Sequence, residues 1–497
     1  MESKSEVDGE RGAACSGFRP RTARVEWRLA VLLYFMLVAG CSHTQRGWLR
    51  LAHGRLPNVL LITIDTLRAD HLGCYSTLFG QLTPNLDRFA AGATLFLHAT
   101  TAAPATLPAL ASLHTGLYPG HHPLRTNIAK LPAEIPALAD MLHAHGYTTA
   151  AYFGNALLSP ESGFGRGFDT YESFVAFFGG SADVRGADLA SAWLRGTPRS
   201  PWFLWVHFMD PHGPYNSAPS SWSETVDGPD PLPDRELAIS PTNYGLGLIP
   251  KYQELPGLSR ASQYRRRYRG EIRYNDEQVG RLLSMLDELA LQRTTLVIIT
   301  ADHGEDLGEH NCYFQHGWVP YEDAVRVPLL VRLPERIAAG QRVQDPVSLV
   351  DVVPTLLAGL DLPLTEAVDG RDISALLRGR AVAEGPVFAV TAYLNQMTIV
   401  RRGKWKLVHT PLPPAPFPGD PWAGFYTPNE QFEFYDLETD PGETHNLYST
   451  QQQRAKALWA ELARWEAAHK IPLGQRAAPP LDEATRQRLE ALGYGAP

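Results

Sequence analysis

The sequence predicts an α/β protein in which helices sandwich a large, mostly parallel sheet, followed by a small C-terminal α+β subdomain with an antiparallel sheet. Apolar strand patterns, such as VLLITI at 59–64 and LVIIT at 296–300, alternate with helical patterns. These strands are apolar throughout, which is typical of parallel strands covered on both faces. From residue 385 the pattern changes to short strands and two terminal helices. We therefore expect one domain over 57–384 and a second over 385–497.

The composition excludes several classes of protein. The chain has 497 residues, of which 44% are hydrophobic and 20% are charged, as in an ordinary globular protein. A disordered chain, a collagen-like chain and a disulfide scaffold are excluded. The formal net charge is -8, whereas nucleic-acid binding needs a basic footprint. We expect no nucleic-acid partner.

The N-terminus has the pattern of an export signal. A polar segment that contains Arg19, Arg21, Arg24 and Arg28 precedes the apolar run LAVLLYFMLVA at 29–39, which is followed by Gly40 and Cys41. The run is too short to span a bilayer, which needs about 20 residues. Its end resembles a bacterial lipobox, so residues 1–40 are predicted to be a lipoprotein signal peptide, Cys41 the lipidated residue and 41–56 a tether. A plain signal peptide and an uncleaved anchor are the alternatives. The protein is then expected in the cell envelope, with membrane contact through a lipid anchor only.

Further elements follow from apolar spacing. Helices are predicted at 83–91, 107–115, 131–145 and 263–289, and strands at 148–153, 202–208 and 327–332. Residues 213–260 are rich in Pro, Ser, Gly and Asp and are predicted to form a long loop, either a substrate lid or an insertion. On the helix at 263–289, four arginines are predicted to form a solvated face, with a clamp for a polyanion as the alternative: Arg265, Arg266, Arg267 and Arg269.

Three apolar strands end in acidic or imidazole side chains. These residues are Asp65, then Asp210 with His212, and Asp302 with His303. Ligands of open α/β sheets bind beyond the carboxyl ends of the strands, so these side chains are expected at one edge. Asp65, Asp302 and His303 suit a hard or borderline divalent cation. For any one of these aspartates alone, a turn or helix-cap role is the alternative.

Thr106 stands at the start of the helix predicted at 107–115, just before Pro108. One interpretation is that its hydroxyl caps the helix. The other uses the same position, because a helix N-terminus attracts an oxyanion and a hydroxyl held on a metal becomes a nucleophile.

A set of motifs in a characteristic order gives the chain a family resemblance. The motifs are PNVLLITIDTLRADHLGCYS, TPNLDRFAAGATLFLHATTAAPATLPALASLHTGLYP, FLWVHFMDPHGPY, ADHGEDLGEH, VRVPLLV, DVVPTLLAGL and FEFYDLETDPGETHNLY. In this order they resemble the sulfatase branch of the alkaline phosphatase superfamily, over residues 58 to about 448.

The resemblance implies roles for individual residues. It implies one divalent metal held by Asp65, Thr106, Asp302 and His303. It implies catalytic roles for Thr106, His212 and His316. It implies substrate contacts for Asn127, His212 and His316. Ca²⁺ is the expected metal, with Mn²⁺, Mg²⁺ and Zn²⁺ as alternatives.

The chain departs from the family pattern in the nucleophile motif and at one metal-binding position. Formylglycine-type sulfatases carry C-x-P-S-R, whereas the run here is T-L-P-A-L, with Thr106 in place of the cysteine and Leu110 in place of the arginine. Threonine cannot give formylglycine, so that cofactor is not expected. A threonine nucleophile resembles the phosphodiesterase and phosphoglycerol-transferase relatives. Thr66 replaces a second metal-binding aspartate of the family.

The resulting prediction is a metal-dependent hydrolase of sulfate or phosphate esters on small, glycan-linked or lipid-linked substrates. A phosphoryl or phosphoglycerol-type transferase of the envelope is one alternative. A catalytically inactive module that keeps the metal is another, motivated by Ala109 and Leu110. Cys74 and Cys312 either pair in an oxidising compartment or stay free.

Overall fold

The computed structural model describes residues 47–470, except for 175–181, 197, 225, 227, 244, 365, 393–396 and 412–430. The predicted signal peptide, Cys41 and the second predicted terminal helix lie outside the described residues. In the part of the chain that is described, no helix is long and apolar enough to cross a membrane.

The described residues contain fifteen strands and ten α-helices in chain order. The strands are β1 (Asn58–Ile64), β2 (Thr94–Thr100), β3 (Thr148–Phe153), β4 (Thr170–Ser173), β5 (Trp202–Phe208), β6 (Thr295–Ala301), β7 (Asp306–Leu307), β8 (Tyr313–Gln315), β9 (Arg326–Arg332), β10 (Gln341–Val343), β11 (Val347–Ser348), β12 (Val387–Val390), β13 (Thr398–Arg402), β14 (Trp405–His409) and β15 (Phe432–Asp436). The helices are α1 (Pro84–Ala91), α2 (Thr106–Thr115), α3 (Leu138–Ala144), α4 (Ala182–Arg195), α5 (Ser220–Glu224), α6 (Ala261–Glu288), α7 (Glu322–Val325), α8 (Val352–Leu360), α9 (Ser374–Leu377) and α10 (Gln452–His469).

A nine-stranded, mostly parallel sheet forms the centre of the structure. Its order is β10-β2-β9-β6-β1-β5-β3-β4, with β11 also paired to β2. Only β9 runs antiparallel to its neighbours β2 and β6. Every residue of β1, β5 and β6 is buried, as expected for strands covered on both faces. The predicted fold class is confirmed.

The C-terminal strands form a separate antiparallel sheet in the order β12-β13-β14-β15. On one face Val400, Leu407 and Phe434 pack against Leu462 and Trp465 of α10. The other face contributes a second small core that includes Val325. The predicted antiparallel subdomain is therefore present.

The helix predicted at 131–145 is shorter than expected. Only Leu138–Ala144 is helical. Pro132 and Pro136 lack the backbone N–H that a helix interior needs, and each disfavours the helical conformation of the preceding residue. The N–H of Leu131 donates instead to the carbonyl of Ser162 at 2.8 Å. The helix therefore begins only after the second proline.

The prediction of a fully solvated arginine face on α6 is wrong, because Arg265 and Arg269 are buried. The Arg265 side chain is 3% exposed, and its Nε lies 2.9 and 2.8 Å from the two carboxylate oxygens of Asp230. Its other nitrogens donate to the carbonyls of Leu232, Pro233 and Leu307. One guanidinium therefore fixes part of the segment 213–260 to α6 and to β7.

We expect Arg265→Ala to lower the free energy of unfolding by about 3–5 kcal/mol, because it leaves the Asp230 carboxylate and three carbonyls without their donor. Arg266→Ala is the matched control, since Arg266 is the exposed neighbour on the same helix and its loss should change the value by no more than about 0.5 kcal/mol. Chemical denaturation of both variants measures the difference. Equal stability of the two variants would contradict the anchoring role.

Candidate metal and active site

The carboxyl ends of β1 and β6 place two aspartates side by side. Ile64 pairs in register with Ala301, so Asp65 and Asp302 leave neighbouring strands at the same level. Both side chains are completely buried. The parallel pairing of these strands, which the sequence predicted, therefore brings the two carboxylates to one edge of the sheet.

His303 lies at the centre of this edge. Its Nε2 is 3.7 Å from Asp65 Oδ1, 3.5 Å from Asp302 Oδ2 and 3.4 Å from Thr106 Oγ1. Its Nδ1 is 2.9 Å from the Gly304 carbonyl oxygen, which can only accept, so Nδ1 carries the proton and Nε2 presents a lone pair. The structure thus brings together all four side chains that were predicted to hold the metal.

The donor set fits a divalent cation. Asp65 Oδ1 and Asp302 Oδ2 are buried and make no hydrogen bond to any described residue. Burial and the charge of Asp65 raise the pKa of Asp302 well above its usual value. Burial also acts to raise the pKa of Asp65, but His212, His207 and His303 outweigh it and the pKa of Asp65 is lowered. Without a cation, only one of these two buried carboxyl groups is ionised, because a second negative charge beside the first is unfavourable. A divalent cation between them would allow both to ionise.

Thr106 does not cap the helix that it begins. It is the first residue of α2, and Ala105 stands at the N-cap without a side-chain hydrogen bond. Asn127 supplies the cap instead, because its Oδ1 accepts from the Leu107 N–H at 2.9 Å. The buried hydroxyl of Thr106 is therefore directed at His303.

The two remaining predicted histidines lie next to His303. The His316 ring is 4.4 Å from the His303 ring and 5.2 Å from the His212 ring, measured between centroids. Nδ1 of His212 lies 2.7 Å from the Gly213 carbonyl oxygen, and Nδ1 of His316 lies 3.4 Å from Glu305 Oε1. Both rings are almost completely buried.

Asn127 also lies at the start of α2. Its Nδ2 is buried and makes no hydrogen bond to any residue that the structure describes. Its amide group is therefore available for a ligand at this end of the helix, but its main contact is structural.

Two residues around Asp65 were missed by the sequence analysis. Asn155 Nδ2 donates to Asp65 Oδ2 at 2.7 Å, and His207 Nε2 lies 3.4 Å from the same oxygen. His207 is held in turn by Thr63, whose Oγ1 is 2.8 Å from Nδ1. Two features of the sequence could have indicated these neighbours of Asp65. One is the histidine inside the apolar strand WFLWVHF, and the other is the asparagine two residues beyond β3.

Comparison with known proteins assigns the family. The family model described as Sulfatase matches residues 57–362. This chain belongs to the sulfatase family. The predicted family and the predicted class of ester-hydrolysing enzyme are confirmed. Members of the family depend on a metal, in keeping with the cluster of Asp65, Asp302 and His303.

Individual relatives cover most of the chain. It is 28% identical to a choline-sulfatase of Rhizobium meliloti, over 79% of this chain and 82% of the relative. It is 26% identical to an ulvan-active sulfatase of Formosa agariphila, over 65% of each protein. The crystal structure of a phosphonate monoester hydrolase of Agrobacterium radiobacter superposes with a TM-score of 0.64 at 22% identity, over 83% of this chain and 96% of that chain. This last similarity concerns the fold.

Proposed function

We propose that this sulfatase-family protein hydrolyses sulfate or phosphate esters with Thr106 as the nucleophile. One divalent cation, Ca²⁺ in first place, would be held by Asp65, Thr106, Asp302 and His303. The proposal is carried by the 3.4 Å separation of Thr106 Oγ1 from His303 Nε2, beside two buried carboxylate oxygens without protein partners. Formylglycine is not needed, because a hydroxyl already occupies the position of the nucleophile.

A bound cation would polarise the ester and lower the pKa of the Thr106 hydroxyl. Thr106, after losing its proton to water, attacks in line, so that a bond from Oγ1 to sulfur or phosphorus forms as the bond to the leaving oxygen breaks. Water then attacks the sulfur or phosphorus, and the bond to Oγ1 breaks. Sulfate or phosphate leaves, and Oγ1 regains a proton from water.

We assign the donation of a proton to the leaving oxygen to His212. Burial and then the charge of His212 lower the pKa of His316 to about 3, so His316 is neutral at pH 7. His316 can then contact the transferred group as a hydrogen-bonding partner, and His212 supplies the proton.

The N-terminus of α2 offers few free backbone N–H groups to the ester oxygens. The Leu107 N–H already donates to Asn127, and Pro108 has no N–H. The negative charge that develops on the ester oxygens must therefore be balanced mainly by the cation, which makes activity strongly dependent on metal.

The substrates are proposed to be small or glycan-linked esters. The relatives support this range, because they include a choline-sulfatase and an ulvan-active sulfatase. Because the nucleophile is a threonine, phosphate esters remain among the proposed substrates. Transfer of a phosphoryl group to an alcohol remains an alternative reaction for the same reason.

A four-substrate panel tests the proposal: an aryl sulfate, a phosphate monoester, a phosphodiester and a phosphonate monoester, each with Ca²⁺, Mn²⁺, Mg²⁺ or Zn²⁺ and after chelation. We expect turnover of at least one ester, lost on chelation and restored by metal. Addition of an alcohol separates hydrolysis from transfer, since a transferase gives a new ester. Turnover that is unaffected by chelation would refute the metal-dependent mechanism.

A further inference from the structure

A second cluster of metal-ligating side chains consists of residues that the proposed reaction does not use. His121 follows α2, Asp369 lies between α8 and α9, and His469 is the last residue of α10. One ligand atom from each lies within 4.8 Å of the others. Three distant parts of the chain thus bring two imidazoles and one carboxylate together.

The hydrogen bonding of His469 leaves a lone pair facing a carboxylate. Its Nδ1 is 2.8 Å from the carbonyl oxygen of Trp465, so Nδ1 carries the proton in the neutral ring. Its Nε2 is buried, forms no hydrogen bond with any described residue and lies 3.5 Å from Asp369 Oδ2. A lone pair next to a carboxylate oxygen is repelled unless a proton or a metal ion lies between them.

The carboxylate and the second imidazole are also positioned. Asp369 Oδ2 accepts from the Tyr118 N–H at 2.7 Å, and Asp369 Oδ1 lies 2.7 Å from His121 Nδ1. The His121 and His469 rings are 4.1 Å apart between centroids. His121 is 41% exposed, which gives an ion a route from solvent and lets this ring adjust.

Gly120 permits the close approach of these elements. Its φ is +111°, and a Cβ at this position would lie 2.1 Å from the carbonyl oxygen of His469. Only glycine therefore lets the segment that carries His121 reach the end of α10.

We propose that His121, Asp369 and His469 form a binding site for a borderline transition metal, Zn²⁺ in first place, with solvent as the fourth ligand. Two imidazole nitrogens and one carboxylate suit Zn²⁺, Cu²⁺ or Ni²⁺ better than Ca²⁺ or Mg²⁺. The hydrogen bond from His469 Nδ1 to a carbonyl is the usual support of a metal-binding histidine. Ligand atoms around a tetrahedral Zn²⁺ are about 3.3 Å apart, so a small rotation of the exposed His121 ring completes the site.

Such an ion would join the end of α10 to the segment that follows α2. Because α2 begins with Thr106, the site would fasten α10 to the helix of the proposed nucleophile. Its effect is therefore expected on stability, by linkage between metal binding and folding.

Zn²⁺ binding to tag-free, chelator-treated protein in saturating Ca²⁺ tests the site, with stoichiometry from calorimetry and elemental analysis. His469→Gln and His121→Gln should each bind one equivalent of Zn²⁺ fewer than the wild type. His143→Gln is the matched control, because His143 forms an exposed pair with Asp169 at 3.2 Å and belongs to no three-ligand group among the described residues. It should bind as the wild type does.

Thermal unfolding gives a readout that needs no turnover. In saturating Ca²⁺, Zn²⁺ should raise the Tm of the wild type and of His143→Gln, and should have no such effect on His121→Gln. His121 is exposed, so this variant should fold even if the replacement of buried His469 is disruptive. Equal Zn²⁺ stoichiometry in the wild type and His121→Gln would overturn the proposal and leave a protonated His469 paired with Asp369.

Discussion

Thr106→Ala is expected to lower kcat/KM for the best ester substrate by roughly 10³-fold or more, because it removes the hydroxyl that forms the covalent bond. The lost group is a buried hydroxyl 3.4 Å from His303 Nε2 that caps no helix, so its removal should affect chemistry more than folding. Initial rates with metal-saturated protein measure the effect. Thr106→Ser, which keeps the hydroxyl, should retain most of the activity.

A second control tests whether the loss of any buried threonine hydroxyl on α2 would lower the rate. Thr115 is also buried on α2, and its Oγ1 donates to the carbonyl of Ala111. It lies about 13 Å further along the helix axis at 1.5 Å per residue. Thr115→Ala should therefore keep its rate while losing some stability. Equal rates for Thr106→Ala and the wild type would reject Thr106 as the nucleophile and point to a contaminating enzyme.

The sequence predicted the site wherever a general rule of sheet geometry applied. Asp65 and Asp302 follow apolar strands, and parallel strands end at one edge, so their meeting needed no knowledge of the fold beyond its class. Thr106 was ambiguous because a threonine at a helix start fits both capping and catalysis. The structure favours the second role through Asn127, which supplies the cap from twenty residues away.

The missed residues depend on tertiary contacts that local patterns do not contain. In the sequence, Arg265 belongs to a run of charged residues that is typical of a solvated helix face. It is buried because the segment that carries Asp230 packs over α6 and pairs with it. Asn155 touches Asp65 because β3 and β1 flank β5, an order fixed by the whole sheet. His469 and His121 are 348 positions apart in sequence (469 - 121), and their pairing follows from the packing of α10. Side chains of this kind are placed by the fold as a whole.

Asp302→Asn is expected to abolish the stabilisation by metal while raising the stability of the metal-free protein. In the wild type, a cation at 100 times its Kd should stabilise the folded state by about 2.7 kcal/mol, seen as a rise in Tm. The variant lacks one of two anionic ligands, so the rise should disappear together with the activity. Without metal, burial and the charge of Asp65 disfavour the ionised form of Asp302 and raise its pKa, and an uncharged amide at this position avoids that cost.

The opposite signs of these two effects make the experiment decisive. If Asp302 only supported the fold, its substitution would destabilise the protein both with and without the metal ion. If Asp302 is a metal ligand next to a second carboxylate, its substitution stabilises the metal-free protein and removes the stabilisation by the ion. Asp287→Asn, at an exposed position of α6, is the control and should leave the metal response intact. Melting curves of the three proteins with and without Ca²⁺ measure all of this. A Ca²⁺-induced shift in Asp302→Asn equal to that of the wild type would mean that the cation binds elsewhere, and that these carboxylates are not its ligands.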